Sequence, residues 1–159
     1  MLNSIEATQI VDGLCEKLQE TDFEGCENED QLLRDIAGMV EEYVGSELGD
    51  LASVWVRGRD RGKIKSVWAY GTDFSPDIAV EVGELPAIAI DVKMAMRASG
   101  AAGPVATAIG KALICSSQYP YVIAFILDKS SGQLHKHWFD AEIETRLWDG
   151  HRTSLIVSQ

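Results

Sequence analysis

The feature that most constrains the fold is an almost continuous apolar run, YVIAFILD, at residues 121–128. Strands that are covered on both faces have this composition, whereas a strand with one wet face alternates apolar and polar residues. A chain that contains such a strand must place other layers of structure on both sides of a sheet. We therefore expect a central strand at residues 121–128.

The rest of the chain supplies further strands and the helices that would cover them. Apolar residues at helical spacing predict four helices, at about residues 4–19, 30–43, 104–117 and 138–148. β-type runs predict the remaining strands, at residues 51–56, 64–70, 77–82, 87–94 and 153–158. Meandering strands that are followed by helical crossovers predict an α/β fold of the α+β kind, with a mixed sheet flanked by helices.

Length and composition favour one globular domain. At 159 residues the chain is long enough for a sizeable core. No apolar run approaches the roughly 18 residues of a membrane span. The N-terminus has neither a basic start nor an apolar signal core, so we expect a cytoplasmic protein. Three cysteines without a CxxC pair do not suggest a disulfide framework.

Charge is distributed unevenly along the chain. The formal net charge is -11, and residues 1–50 hold 14 acidic side chains against two basic ones. This acidic N-terminal half is a candidate surface for a protein partner. Farther on, RGRDRGKIK places five basic residues close together: Arg57, Arg59, Arg61, Lys63 and Lys65. Such a cluster is typical either of a phosphate-binding surface or of a solvated turn.

A hairpin of two strand-type runs carries the residues that suggest chemistry. DIAVEV and AIAIDVKM are joined by GELP, and charged residues stand at the open end of the hairpin. If residues 83–85 form a three-residue loop, Asp77 lies opposite Asp91, with Cβ atoms roughly 5 Å apart. Lys93 then points to the same face. A loop one residue longer or shorter would turn Asp77 to the other face.

Two carboxylates that close repel each other unless a cation offsets their charge. Magnesium prefers oxygen ligands and keeps several waters, so we predict Mg²⁺, with Mn²⁺ as a substitute, on Asp77 and Asp91. Lys93 would orient a metal-bound water or take its proton. Each residue also has an ordinary alternative, because Asp77 follows Pro76 as turn residues do, and Asp91 and Lys93 are able to form a simple ion pair.

SPD at residues 75–77 and DVK at residues 91–93 resemble the signature of the PD-(D/E)XK nuclease superfamily, which has the restriction-endonuclease-like fold. The resemblance covers about residues 30–128. It leaves residues 1–29 as an acidic helical extension and residues 129–159 as a C-terminal helix and strand. It implies Mg²⁺-dependent hydrolysis of phosphodiester bonds, with DNA as the expected substrate. In the family the two acids bind the metal and the lysine assists the attacking water.

The resemblance also implies residues outside the hairpin. A glutamate on the preceding helix would be Glu41, with Glu42 as the alternative, and a polar residue on the following helix would be Lys111 or Gln118. The expected DNA contacts are Arg57, Arg59, Arg61, Lys63 and Arg97. Cleavage of both DNA strands would suggest a homodimer. The alternative function is that of a non-catalytic binding or assembly protein on the same fold, which would use its acidic N-terminal half as the partner surface.

Overall fold

The structure is a computed structural model that describes residues 3–96, 102–132, 134 and 138–159. Its helices are α1 (Ser4–Glu20), α2 (Glu29–Leu48), α3 (Ala102–Cys115) and α4 (Trp138–His151). Its strands are β1 (Ala52–Val56), β2 (Val67–Ala69), β3 (Thr72–Phe74), β4 (Ile78–Val82), β5 (Leu85–Met96), β6 (Tyr121–Lys129) and β7 (Thr153–Ser158). Within these ranges, no helix has the length and apolar character needed to cross a membrane.

Five of the strands form one mixed sheet in the order β1-β4-β5-β6-β7. The pairs β1–β4 and β4–β5 are antiparallel, and β5–β6 and β6–β7 are parallel. The predicted mixed sheet flanked by helices is therefore confirmed. The predicted strand at residues 64–70 is shorter than expected, because only Val67–Ala69 is extended. It pairs with β3, which was not predicted, in a separate two-stranded hairpin.

The two faces of the sheet have cores of different composition. One face carries large aliphatic residues that pack against α1 and α2, including Ile78, Val80, Ile90 and Val92. The other face carries alanines that pack against α3. Strand β6 contributes to both cores, since Phe125 lies in the first and Ala124 in the second, so its predicted coverage on both faces is confirmed.

Helix α2 is longer than its sequence pattern predicts. Asn28 caps its start by accepting a hydrogen bond from the backbone N–H of Gln31 at 2.9 Å. The helix continues through Gly45 and ends at Gly49, whose φ of 54° suits a glycine. Because Val44 is buried in the core, packing maintains the helix beyond the predicted end near residue 43.

The β4–β5 hairpin has the predicted register beside Asp77, but its loop differs from the predicted one. Its loop has two residues, Gly83 and Glu84, which both have positive φ, so the predicted three-residue loop is wrong. A bulge in β5 adds one residue opposite Glu81. That extra residue compensates for the shorter loop, and Ile78 pairs with Ile90 as the longer loop would have required. Asp77, one residue before this last pair, therefore lies beside Asp91.

The alanine core beneath α3 generates a stability prediction. Ala112 is completely buried against the sheet, whereas Ala106 on the same helix is exposed. We expect Ala112→Leu to lower the free energy of unfolding by about 1–3 kcal/mol, because a larger side chain overpacks this layer. Ala106→Leu should change it by less than about 0.5 kcal/mol, since both residues are good helix formers. Chemical denaturation measures both values, and equal stability of the two variants would contradict close helix–sheet packing.

Candidate active site

Asp77 is fixed by the ends of three strands. Its carboxylate, only 1% exposed, accepts a hydrogen bond from the backbone N–H of Val92 at 2.8 Å. Its own N–H donates to the carbonyl of Ile90 at 3.0 Å, and its carbonyl accepts from the N–H of Arg57 at 2.8 Å. Strand β4 begins at Ile78, so the side chain of Asp77 satisfies a β5 donor that lies beyond the β4–β5 ladder.

Asp91 lies on β5 beneath α3, and it is 2% exposed. Lys111 of α3 donates a hydrogen bond from Nζ to Asp91 Oδ1, and the same ammonium is 3.7 Å from Asp77 Oδ1. The two carboxylates and one ammonium therefore converge where β4 and β5 meet α3. Asp77 Oδ1 and Asp91 Oδ2 are buried and have no hydrogen-bond donor among the described residues.

Arg57 brings a second cation to the carboxylates. Its Nη2 is 2.9 Å from Asp77 Oδ1, although the direction of approach does not make a hydrogen bond. The arginine directly follows β1, and about half of its side chain is exposed to solvent. A residue expected to contact DNA thus lies against the carboxylate pair, at the boundary between the site and solvent.

The electrostatics of the pair are set mainly by burial. Burial and, to a smaller extent, the neighbouring Asp77 carboxylate raise the pKa of Asp91 to about 6, although Lys111 opposes both effects. The raised pKa shows that Lys111 does not fully compensate the buried negative charge. A hard divalent cation prefers oxygen ligands, and the pair offers two: Asp91 Oδ2, which has no donor in the described part of the chain, and Asp77 Oδ1, whose contacts are ion pairs with Arg57 and Lys111. Among the described residues, no group of three or more acidic, histidine or cysteine side chains is arranged to hold a metal ion, so waters or substrate oxygens would complete the coordination.

Lys93 lies next to the pair but does not contact it. Alternation along β5 directs Lys93 and Asp91 to the same face, as predicted. Its Nζ is 3.8 Å from Glu29 Oε1, and Glu29 Oε2 accepts the N–H of Met94 at 3.2 Å. No ion pair joins Lys93 to Asp91, so the simple pairing that the sequence also allowed is not formed.

The helix glutamate closest to these residues was missed by sequence reasoning. Glu29 occupies the first turn of α2, where an acidic side chain has an ordinary explanation in the helix dipole. The expected Glu41 forms an ion pair with Arg59 instead, and Glu42 is exposed. The start of α2, rather than its middle, faces the end of β5. Only the tertiary placement of the helix reveals this.

Several of the basic residues that we expected to contact DNA form contacts within the protein instead. Arg59 pairs with both Glu41 and Asp60, and Lys63 lies over the ring of Trp55 with Nζ 5.5 Å from its centroid. Arg61 is exposed. Arg97 lies outside the described residues. Of the two polar candidates on the later helix, Lys111 reaches the site, whereas Gln118 is exposed beyond the end of α3.

The raised pKa of Asp91 predicts a pH-dependent stability. An acid whose folded pKa lies above its unfolded value destabilises the native state progressively as pH rises from about 4 to above 6. Asp91→Asn should remove this effect. We define the stability difference as the free energy of unfolding of Asp91→Asn minus that of wild type. We expect this difference to be about 2–3 kcal/mol larger at pH 7.5 than at pH 4, and urea denaturation at both pH values measures it.

Asp60 provides a control, because its pKa is shifted in the direction opposite to that of Asp91. The backbone N–H of Val56 lowers the pKa of Asp60, so this residue stabilises the native state above its unfolded pKa and loses that contribution as pH falls. Asp60→Asn should therefore be less stable than wild type at pH 7.5 and at pH 4, with a difference that shrinks only as pH falls below about 3.8. The same pH trend in both variants would show that Asp91 is not the source of the effect.

Comparison of the chain with protein-family models, with curated proteins and with solved structures finds no match. The function is therefore inferred from the geometry of Asp77, Asp91 and Lys111 and from the residues around them.

Proposed function

We propose that this chain is a Mg²⁺-dependent nuclease of the PD-(D/E)XK superfamily that hydrolyses phosphodiester bonds, with DNA as substrate. The observation that carries the proposal is the convergence of two almost fully buried carboxylates, Asp77 and Asp91, each with an oxygen that lacks a donor. Burying like charges together is unfavourable for folding, and such arrangements are concentrated at functional sites.

The order of the elements supports a restriction-endonuclease-like core. Helix α2 leads to three antiparallel strands, β1, β4 and β5, and α3 then leads to the parallel strand β6. This is the order expected for the common core of the superfamily, and it supports the proposal. The carboxylates lie at the β4–β5 junction, where the SPD and DVK segments meet.

Asp77 and Asp91 would hold the metal. When bound there, Mg²⁺ would make a coordinated water more acidic and stabilise negative charge on a phosphoryl oxygen. The backbone N–H of Val92 keeps Asp77 oriented, and the β5–β6 ladder keeps Asp91 in place. Both ligands are therefore preorganised on rigid elements.

Lys93 would orient the attacking water, and Glu29 would position the ammonium group of Lys93. Lys93 is mostly buried, and its nearest acidic oxygen is Glu29 Oε1 at 3.8 Å. In this arrangement Lys93 donates a hydrogen bond that orients the water, while Glu29 positions the ammonium. The hydrogen bond from Met94 N–H limits the movement of Glu29.

The alternative function of a binding or assembly protein also has an observation in its favour. Lys111 and Arg57 already place two positive charges beside the two carboxylates, so the cluster is an ion-pair network without any metal. Networks of this kind occur as purely structural features and perturb pKa values as well. Cleavage and metal binding separate the two functions.

The nuclease proposal is tested by incubating supercoiled plasmid, linear duplex and single-stranded DNA with the protein and Mg²⁺ or Mn²⁺. We expect metal-dependent cleavage that falls by at least about a hundredfold in Asp77→Asn and in Lys93→Ala, because each removes a group that acts on the reacting atoms. Asp12→Asn, an exposed change on α1, should retain full activity. Cleavage that persists in both site variants, or that fails on every substrate, would contradict the proposal.

Lys111 generates a separate prediction about metal affinity. Its ammonium donates to Asp91 Oδ1 and lies 3.7 Å from Asp77 Oδ1, so protein and metal cations compete for the negative charge of the same two carboxylates. At an effective dielectric constant of 20, charges 4 Å apart interact by about 4 kcal/mol, and a fraction of this suffices for a tenfold effect. We expect Lys111→Met to lower the Mg²⁺ concentration at half-maximal thermal stabilisation by about tenfold.

Lys17→Met is the matched control for this measurement, because Lys17 lies on α1 over the ring of Tyr43 and away from the carboxylates. Its Mg²⁺ dependence should equal that of wild type. Weaker Mg²⁺ binding in Lys111→Met would instead identify Lys111 as a residue that supports the metal site.

A further inference from the structure

The β2–β3 hairpin exposes two aromatic side chains to solvent. Trp68 is 72% exposed and Tyr70, at the tip, is fully exposed. They are the only aromatic residues among the exposed large hydrophobic side chains of the described part of the chain. The opposite side of the hairpin is half-buried through Val67, Ala69 and Phe74. The aromatic rings therefore add little to the core of the protein.

The turn that presents Tyr70 is unfavourable for this residue. Tyr70 has a φ of 49° and Gly71 a φ of 74°, as in a type I′ turn. Asparagine, aspartate and glycine favour the first of these positions, whereas a bulky residue with positive φ is strained. An exposed and strained aromatic residue stabilises the folded chain poorly. Contact with a ligand provides a physical reason for its placement.

The segment that carries the hairpin is the basic part of an acidic protein. Residues 57–74 contain five basic side chains and two acidic ones, Asp60 and Asp73, in a chain with a net charge of -11. Asp73 pairs with Trp68 across the hairpin, and Asp60 is engaged by Arg59. Arg61 is exposed, and within the described residues it has no ion-pair partner. Lys65, three residues before Trp68, is paired with Glu81 at 3.4 Å. Exposed aromatic rings within a basic segment match the two components of a single-stranded nucleic acid, its bases and its phosphates.

The hairpin is connected directly to the carboxylate pair. Phe74, the last residue of β3, precedes Asp77 by three residues, so their Cα atoms are at most about 11 Å apart. On the incoming side, Arg57 contacts Asp77. The hydroxyl of Tyr119 donates a hydrogen bond to the carbonyl of Lys65 at 2.6 Å and ties this segment to the end of α3. The base of the hairpin, where Phe74 pairs with Val67, therefore lies close to Asp77, and Tyr70 lies at the opposite end of the hairpin.

We propose that Trp68 and Tyr70 stack on unpaired bases, so that the preferred ligand of this protein is nucleic acid with a single-stranded segment. The proposal rests on the proposed function for its choice of nucleic acid, and it specifies the substrate class of that site. Bases inside a duplex are stacked on one another and present only their edges, whereas unpaired bases offer the faces that aromatic rings need. Duplex DNA would engage the basic residues alone.

The experiment measures binding without cleavage. The full-length protein is titrated, in EDTA, against a fluorescein-labelled single strand of about 20 nucleotides and against the matching duplex, by fluorescence anisotropy. We expect the single strand to bind about tenfold more tightly. Combined Trp68→Ala and Tyr70→Ala should weaken single-strand binding by about ten- to a hundredfold, as expected for the loss of base stacking, and change duplex binding by less than about twofold.

Two further variants isolate the aromatic rings. Combined Trp68→Phe and Tyr70→Phe retains a ring at both positions and should keep single-strand affinity within about threefold of wild type. Leu51→Ala removes an equally exposed hydrophobic residue, 71% accessible, that precedes β1 at the end opposite Arg57. It should leave affinity for both DNA forms unchanged.

Tyr70→Asn separates stability from binding. Asparagine suits a positive φ, so we expect its melting temperature to rise by about 2–5 °C while single-strand affinity falls by about tenfold. Opposite signs for stability and affinity would exclude misfolding as the cause of the lost binding. A fall in both quantities would overturn the turn-strain component of the proposal.

Unchanged single-strand affinity in the double alanine variant, or equal affinity of the wild type for single strand and duplex, would overturn the hairpin proposal. So would the absence of binding to either DNA form, which would favour a protein as the occupant of the hairpin. Failure of the hairpin proposal can be told apart from failure of the proposed nuclease function. Single-strand binding that depends on both rings, without cleavage in Mg²⁺, would support the hairpin and contradict the nuclease.

Discussion

The rest of the structure depends on the hydrogen bond between the Asp77 carboxylate and the backbone N–H of Val92. This bond continues the β4–β5 ladder with a side chain and holds a charged group in the interior beside Asp91. Both carboxylates are buried, so their negative charge must be compensated by positive side chains nearby. Lys111 supplies it from α3 and Arg57 from the end of β1. The buried pair Asp77–Asp91 thereby links α3 and the end of β1 to the β4–β5 hairpin.

Lys111 can reach the carboxylates because α3 packs closely on the sheet. Ala79, Ala89 and Ala124 of the sheet face Ala108 and Ala112 of the helix, and these small side chains allow a short separation between the layers. Larger residues would move the ammonium away and leave the buried acids uncompensated, at a high energetic cost. The alanine pattern that looks unremarkable in the sequence is therefore a geometric requirement of the charge cluster.

Apolar periodicity in the sequence predicts most helices and strands because burial determines that periodicity directly. The register beside Asp77 and Asp91 was also predictable, although the loop length was wrong, since a bulge compensates for the missing loop residue. Strand β3 was missed because it has only three residues and Tyr-Gly is not a typical hairpin turn. Glu29 was missed because its proximity to Lys93 depends on where α2 docks, and local sequence does not encode that.

The strong negative charge of the chain leaves basic side chains near the carboxylate pair, although two α2 glutamates reach such side chains: Glu41 pairs with Arg59 and Glu29 with Lys93. Acidic residues are concentrated on α1 and α2, which cover the face that contains Ile90 and Val92. Asp77 and Asp91 point toward the opposite face, where Lys111 lies. Exposed charges are largely screened beyond about 8 Å at physiological ionic strength. For the proposed ligand, local charge at Arg57, Arg61 and Lys111 would therefore matter more than the net charge of the chain.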